Sequence, residues 1–366
     1  MFYGVSDGLS YEFETRWNHR KDPNSGRKEF PTGSEGPPDI VTVYHTFEEF
    51  MNTKYHEKAN LGAAVSNDGL LTDHGVKHVK SVIAHAKDIL SDVNQLTGYE
   101  IYLLLCAIHF HDVGNILGRE DHEKKIDDII VKEGDRLPFN QSEIEYITRI
   151  AKAHGGYADS TTKDKDTIRD IKTDFPDKKY DSIPIRLPAL AAILRFADEI
   201  SDDFTRTDYD GIPIPTENEV YHEYSKALEP ISIGDKGDKL IYTFRIPYEL
   251  TQKKIGKGSK SVYLYSEILA RLAKCMRELE YCRKYADGLI KINTVSVNIT
   301  VTQKNNSNKT INDLKQSFML TLNGYPDAKI YKLSHYLANP SGTSGYTSLK
   351  YTSATALLKA AKAATV

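Results

Sequence analysis

The chain has 366 residues, of which 40% are hydrophobic and 27% charged, as in a globular protein of one large domain or two smaller ones. A formal net charge of −3 gives no indication of a polyanion-binding protein with a broad basic surface, although a small basic groove is compatible with it. Apolar runs such as residues 101–108 are too short to span a membrane, and residues 1–7 show no secretory signal. We therefore expect a cytoplasmic protein without a membrane partner.

The N-terminal part predicts little regular structure. Residues 1–40 are rich in Gly, Pro, Asp and Lys, which favours an irregular arm, and a short helix is predicted over residues 46–56. From Asp73 the apolar residues follow a helical period, with a first stripe from Val79 to Leu90. The next helix, residues 99–113, is apolar almost all round, so it is predicted to be central and to end with Gly114 as its C-cap.

Three more helices follow in this region. The third is expected to begin near Asp121, and the fourth near Ser142, which has capping-box spacing to Glu145. Residues 157–183 are polar and predict a long loop. Pro188 is expected to start the fifth helix, because proline fits the first turn of a helix.

The pattern changes after this helical region. Residues 229–233 and 240–246 predict a β-hairpin, residues 261–288 a long helix, and residues 290–301 a strand. We predict a mainly α fold with a helical bundle core and a smaller α+β part. The predicted domains are an N-terminal arm and short helix (1–55), the helical core (56–215), an α+β extension (216–305) and a partly flexible C-terminal region (306–366). Three cysteines in apolar helical segments are expected to be buried and reduced: Cys106, Cys275 and Cys282.

Six metal-type ligands lie at the core edge or the end of these five predicted helices. They are His78, His111, Asp112, His122, His154 and Asp198. A single histidine of this kind is usually a satisfied core residue, and a single His-Asp pair is usually a cap or a core contact. Asp198 taken alone is as often a surface charge as a ligand. The combination is different, because four imidazoles and two carboxylates suit a pair of ions such as Mn, Fe, Co, Ni or Zn, with Mg as a further choice. These ligands do not suit calcium, which prefers oxygen ligands. None of the six is a cysteine, which argues against a structural zinc site.

The pattern resembles the HD superfamily of metal-dependent phosphohydrolases over residues 73–203. The resemblance lies in the segments Asp73–Val82, Ile108–Gly114, His122–Glu123, His154 and Leu194–Asp198. It implies an HD-type bundle in which His78, His111, Asp112 and Asp198 hold one metal, His122 and His154 hold a second, and Asp112 bridges the two. His74 stands where cyclic-nucleotide phosphodiesterases place an acid, although those enzymes have Tyr-His-Asn there and this chain has Asp73-His74-Gly75. The hairpin and the long helix look like those of HD phosphohydrolases of prokaryotic antiphage systems.

The resemblance implies hydrolysis of phosphoester or phosphoanhydride bonds in nucleotides, free or cyclic. A metal-bridged hydroxide would attack phosphorus, with Asp112 orienting the metals and His74 protonating the leaving oxygen. Lys77 and Arg119 flank the ligand segments and are candidates for binding phosphate.

Three alternatives stay open at this point. One is a nuclease on single-stranded nucleic acid, which would need a basic groove. Another is a di-iron oxygenase, since HD folds with the same six ligands can activate dioxygen. The last is a non-catalytic nucleotide sensor, against which the complete ligand set argues. The sequence does not specify the metal, the substrate, or whether the chain binds a protein partner or another copy of itself.

Overall fold

The computed structural model of the chain describes residues 8–20, 27–32, 39–59, 72–162, 164–175, 178–207, 214–234, 236–258, 261–303, 306–322, 332–338 and 349–364. These residues form two compact units. The first comprises the described residues of Met1–Asp68, His74–Ser201 and Tyr281–Lys291, and the second those of Gly69–Asp73, Asp202–Glu280 and Ile292–Val366. Within the described part of the chain, every helix is too short or too polar to cross a membrane.

The first unit is built mainly of helices. Its helices are α1 (Leu9–His19), α2 (Ile40–Met51), α3 (Val76–Asp88), α4 (Gly98–Phe110), α5 (Ile126–Glu133), α6 (Gln141–Lys152), α7 (Ile168–Asp174) and α8 (Leu187–Glu199). A π-helical turn at Asn52–His56 extends α2, and 3₁₀ turns occur at Val93–Gln95, Val113–Leu117 and Gly134–Arg136. A two-stranded hairpin, β1 (Lys178–Tyr180) and β2 (Ile183–Ile185), precedes α8.

Helix α4 is the centre of this unit, as its apolar sequence predicts, because every one of its residues is buried. It begins with a capping box in which Thr97 and Glu100 satisfy each other's backbone N–H groups. The buried Glu100 carboxylate also accepts two hydrogen bonds from the Arg186 guanidinium, at 2.9 and 2.8 Å, just before α8 begins. This ion pair joins the starts of α4 and α8, so the two 13-residue helices run side by side toward the same end of the bundle.

The described part of the N-terminal arm, residues 8–20, 27–32 and 39–40, is more regular than the prediction of an irregular segment, and the rest of the arm lies outside the described residues. Leu9, Phe13 and Trp17 lie four residues apart on α1 and are all buried, and Phe13 stacks against Tyr102 of α4 at 5.9 Å between ring centres. The following helix begins at Ile40, six residues before the predicted start, because the Asp39 side chain caps it by accepting a hydrogen bond from the Thr42 N–H. Burial of aromatic side chains therefore outweighs the turn-rich composition of the arm.

The loop predicted over residues 157–183 contains α7 and strand β1. The turn between β1 and β2 consists of Asp181 and Ser182, both with positive φ, at 48° and 69°. Two-residue hairpin turns of this kind usually carry Asn-Gly or Asp-Gly, so Asp-Ser is a weak sequence signal.

The fourth of the predicted helices corresponds to α6. Its capping box is formed by Asn140 and Glu143, two residues before the predicted pair of Ser142 and Glu145. The Asn140 side chain accepts hydrogen bonds from the Ser142 and Glu143 N–H groups.

The second unit combines a mixed sheet with helices. Its strands are β3 (Ser232–Ile233), β4 (Lys239–Pro247), β5 (Thr294–Gln303) and β6 (Asn306–Thr321), in that spatial order. Strands β4 and β5 are parallel, and the other two pairings are antiparallel. Its helices are α9 (Glu219–Ala227), α10 (Tyr248–Thr251), α11 (Leu264–Tyr285) and α12 (Ala354–Ala364). The last five residues of α11 belong to the first unit. Two 3₁₀ turns occur, at Phe204–Thr207 and at Leu333–His335.

The predicted mainly α fold with a smaller α+β part is confirmed, including the hairpin, the long helix and the strand near residue 295. Strand β6 was not predicted, because the Ser-, Thr-, Asn- and Lys-rich composition of the C-terminal region hides its alternation. The three cysteines are buried and none forms a disulfide, as expected.

Candidate metal centre

All six candidate ligands lie in the first unit and meet at one end of its bundle. His111 directly follows the last residue of α4, His154 follows the end of α6 by two residues, and Asp198 lies in the last turn of α8. Three helix carboxyl ends, each with partial negative charge, therefore converge here, which favours a bound cation. His78 reaches the same place from the first turn of α3.

The ligand atoms form two groups that share Asp112. In the first group, His78 Nε2 lies 3.1 Å from Asp198 Oδ1 and 3.3 Å from His111 Nε2. The same two imidazole nitrogens lie 3.5 and 3.4 Å from Asp112 Oδ2. Four ligand atoms from the ends of α4 and α8 and the start of α3 thus surround one point.

The second group uses the other oxygen of the same carboxylate. Asp112 Oδ1 lies 3.2 Å from His122 Nε2 and 3.7 Å from His154 Nε2, and these two nitrogens are 3.0 Å apart. The Asp112 carboxylate therefore points one oxygen at each group. Such an arrangement suits a carboxylate that bridges two metal ions.

Backbone carbonyls fix the tautomers of two of these histidines. His111 Nδ1 lies 2.6 Å from the Ile108 carbonyl oxygen, and His154 Nδ1 lies 2.6 Å from the Ala151 carbonyl oxygen. Because a carbonyl only accepts, each Nδ1 carries a proton and donates it, so Nε2 is the nitrogen of each ring whose lone pair can bind a metal ion at the centre. His122 Nδ1 has the Glu123 carboxylate 3.4 Å away, which favours the same tautomer.

These tautomers make the site a fit for a cation. With Nδ1 protonated in both His122 and His154, the lone pairs of their Nε2 atoms would face each other across 3.0 Å in a buried place. Two facing lone pairs repel each other unless a proton or a metal ion lies between them. The donor set of imidazoles and carboxylates, without a thiolate, matches the borderline divalent metals.

The family model named HD-CE matches residues 68–264, more than half of the chain and the range that contains all six residues. The chain belongs to the HD-CE family. The predicted membership of the HD superfamily is thereby confirmed, and with the buried ligand cluster it indicates a metal-dependent hydrolase. No curated protein and no solved structure matches the chain.

Of the other residues predicted for this site, the HD-CE fold brings His74 and Arg119 close to Asp112. His74 precedes α3 and its Nε2 lies 4.0 Å from Asp112 Oδ2. Arg119 Nη1 lies 3.5 Å from His74 Nε2 and 3.8 Å from Asp112 Oδ1, and 44% of the Arg119 side chain is exposed. Lys77 lies on an exposed part of α3 beside His78.

Burial and the neighbouring charges shift the pKa values of this HD-CE site in the absence of metal. Burial lowers the pKa of His111, but the carboxylates of Asp112 and Asp198 outweigh it and raise that pKa to about 10. Burial raises the pKa of Asp112 and of Asp198, yet the surrounding imidazoles hold both well below the ordinary value. Both aspartates are therefore ionised at neutral pH, which is the form that binds metal.

His122 lies in a turn before α5 and not at the start of the helix, where the sequence predicted it. This turn packs against the 3₁₀ turn that holds Gly114, a residue predicted to be a helix C-cap. A Cβ on Gly114 would lie 1.9 Å from the His122 carbonyl oxygen, so only glycine permits the contact. Asp121 starts the turn with φ +49°, and its carbonyl accepts from the Lys124 N–H.

Two residues beside the centre were given no role by the sequence. Asn115 is fully buried, and its Nδ2 donates to Asp112 Oδ1 at 3.0 Å. Glu123 is buried beside Gly156, whose φ is +76° and whose added Cβ would lie 2.4 Å from the Glu123 carboxylate. The signals available in the sequence were an asparagine three positions after the His-Asp pair and an acid directly after a ligand.

Proposed function

We propose that this centre is a two-metal phosphohydrolase site that cleaves phosphoester or phosphoanhydride bonds of nucleotides. The proposal assigns His78, His111 and Asp198 to one divalent metal, His122 and His154 to the other, and Asp112 to both. The observation that carries it is the Asp112 carboxylate, whose two oxygens face two separate groups of ligand atoms.

Two divalent metals bound here would supply an activated water and neutralise charge on the phosphoryl oxygens. The residues of the chain have complementary tasks. The Arg119 guanidinium is half exposed beside Asp112, so it can bind a phosphoryl oxygen and orient the phosphorus. His74 is buried beside Asp112, and its Nε2 lies 3.5 Å from Arg119 Nη1, a donor. Once Arg119 binds the phosphate instead, this nitrogen can hold a proton for the leaving oxygen, a role worth about 10²–10⁴-fold in rate.

A nucleotide is the substrate class that the resemblance to HD phosphohydrolases implies, and Lys77 is kept as a second candidate for binding its phosphates. The role in antiphage defence and the location in the cytoplasm stay predictions from the sequence.

The test is metal-dependent phosphate release. Purified protein would be loaded with Mn²⁺, Co²⁺, Ni²⁺ or Mg²⁺ and offered nucleoside triphosphates, cyclic nucleotides and single-stranded oligonucleotides. We expect release from at least one nucleotide, its loss in Asp112→Ala, and its retention in His45→Gln, which changes an exposed histidine outside the centre.

Other results would overturn the proposal in different ways. Cleavage of oligonucleotides alone would make the protein a nuclease. Two bound irons with oxygen consumption would make it an oxygenase. Tight nucleotide binding without turnover under any metal would indicate a sensor.

A further inference from the structure

We propose that Asn115 is a positioning residue that fixes the shared carboxylate of Asp112 toward the second group of ligands and holds Arg119 beside it. The inference deepens the proposed function, since it concerns the same site. It rests on the contacts of one buried amide.

The orientation of the Asn115 amide is determined by its partners. Asp112 is a carboxylate that only accepts, and Arg119 is a guanidinium that only donates. The amide nitrogen must therefore face Asp112, where Nδ2 donates to Oδ1 at 3.0 Å, and the amide oxygen must face Arg119, whose Nη1 donates to it at 3.1 Å. In the opposite orientation the amide oxygen would face the Asp112 carboxylate and the amide N–H groups would face Arg119, so both hydrogen bonds would be lost.

The bond to Asp112 reaches the oxygen that faces His122 and His154. A carboxylate oxygen has two lone pairs, and a hydrogen bond to one of them leaves the other for a metal ion. With Asn115 in place, the free lone pair of Oδ1 is directed toward the second group. The Oδ2 atom, which faces His78 and His111, receives no bond from this amide.

The backbone supports the position of the amide. Asn115 lies on the 3₁₀ turn that directly follows Asp112, and its N–H donates to the Asp112 carbonyl at 3.0 Å. Side chain and backbone of Asn115 thus both bind Asp112, so rotation of the carboxylate would break a buried hydrogen bond.

The experiment measures metal affinity and not only turnover. Mn²⁺ is titrated into metal-free protein by calorimetry, and the binding step lost in His154→Ala is assigned to the second group. We expect Asn115→Leu, which keeps the branching of the side chain but removes the donor and the acceptor, to weaken that step by about 10–100-fold. The Mn²⁺ affinity of the first group should change by less than about threefold. When Mn²⁺ is limiting, the weakened second group should stay empty, so the EPR signal of a coupled Mn²⁺ pair should disappear.

Three further variants make the result specific. Arg119→Met removes only the outer partner, so both Mn²⁺ affinities should stay within about twofold while KM for any substrate rises. Asn94→Leu, at an exposed asparagine, should bind metal like the wild type. Asn115→Ser is measured in the same way, so that the result does not depend on the folding of Asn115→Leu alone.

The inference is overturned if Asn115→Leu or Asn115→Ser binds two Mn²⁺ ions like the wild type. It is also overturned if both steps weaken equally together with the melting temperature of the metal-free protein, since the role would then be only structural. Failure of every phosphate-release assay would instead reject the proposed function and leave the metal titration to decide the role of Asn115.

Discussion

Gly114 determines whether the turn that carries His122 can reach the metal centre. A Cβ at this position would lie 1.9 Å from the His122 carbonyl oxygen, and backbone cannot yield as a flexible side chain can. The φ angle of Gly114 is not in the left-handed region, so the requirement is one of space.

We predict that Gly114→Ala displaces His122 and weakens the second metal-binding step by at least about tenfold, because misplaced ligands lose metal affinity. The matched control is Gly134→Ala, since an added Cβ there meets nothing within 4 Å. Calorimetric titration with Mn²⁺ measures both. Equal affinities in the wild type and Gly114→Ala would show that the turn tolerates the methyl group.

At the residue scale, the six candidate ligands could be selected from the sequence because each follows or begins a recognisable helix. Asn115 and Glu123 could not be assigned roles, because their importance depends on which oxygen or nitrogen of a neighbour they face. His122 was selected but placed on a helix, since the contact that shapes its turn is made by Gly114, eight residues away in sequence.

At the scale of the element, helix α6 carries His154 beyond one end and its capping box at the other. Asn140 caps the start by accepting hydrogen bonds from two backbone N–H groups, each at 3.0 Å. We predict that Asn140→Ala lowers the free energy of unfolding by about 1 kcal/mol, the usual cost of a lost cap.

Urea denaturation would measure this loss, with Gln141→Ala as the control, because Gln141 is an exposed neighbour that makes no cap. The affinities for Mn²⁺ should stay within about twofold, since the cap is a helix length from His154. A large loss of metal affinity in Asn140→Ala would show that the cap at the start of α6 does affect the position of His154 beyond its end.

Glu133 connects the end of α5 to the π-helical turn after α2. Hydrogen bonds from Lys54 Nζ and Tyr55 OH, both at 2.6 Å, outweigh burial and lower the pKa of Glu133 from 4.5 to about 2. Because the pKa is lower in the folded state, the unfolded chain binds the proton more tightly. The stabilising contribution is therefore complete above pH 4.5 and is lost as the pH falls toward 2.

We predict that the difference in unfolding free energy between the wild type and Glu133→Gln shrinks as the pH falls from 4.5 toward 2. Urea denaturation at several pH values measures it. Glu145→Gln, at an exposed position, should show no comparable change. A constant difference for Glu133→Gln would mean that the contact with Lys54 and Tyr55 contributes nothing through ionisation.

The elements themselves were predictable to different degrees. Helices α3, α4, α8 and α11 follow a clear apolar period, and the structure has them close to the predicted bounds. Helix α1 and the β1–β2 hairpin were missed, because a few buried aromatic residues and an Asp-Ser turn carry little signal in the sequence.

At the scale of the whole molecule, the first unit is discontinuous, and its last segment is Tyr281–Lys291. This segment is held by contacts inside the unit: the Tyr285 hydroxyl donates to the buried Asp166 carboxylate at 2.7 Å, and the Leu289 carbonyl accepts from the Ser91 N–H at 2.7 Å. The Arg195 guanidinium also lies 5.7 Å from the Tyr281 ring centre.

We predict that Tyr285→Phe lowers the free energy of unfolding by about 1–3 kcal/mol, because it removes a hydrogen bond from a buried carboxylate. Thermal or urea denaturation of the full chain would measure the loss, and Tyr11→Phe, at a side chain that is 50% exposed, is the control. Equal stability of Tyr285→Phe and the wild type would show that water replaces the hydroxyl at Asp166.

The late return of the chain to the first unit has a consequence for synthesis on the ribosome. All six candidate ligands have been translated by residue 198, yet the unit that holds them is complete only after Lys291 has emerged. During this interval the nascent chain would carry imidazoles and carboxylates without a finished bundle to select among metals. We therefore expect correct metal loading to follow the emergence of Lys291, so that the metals available from that stage onward determine which ions the protein acquires.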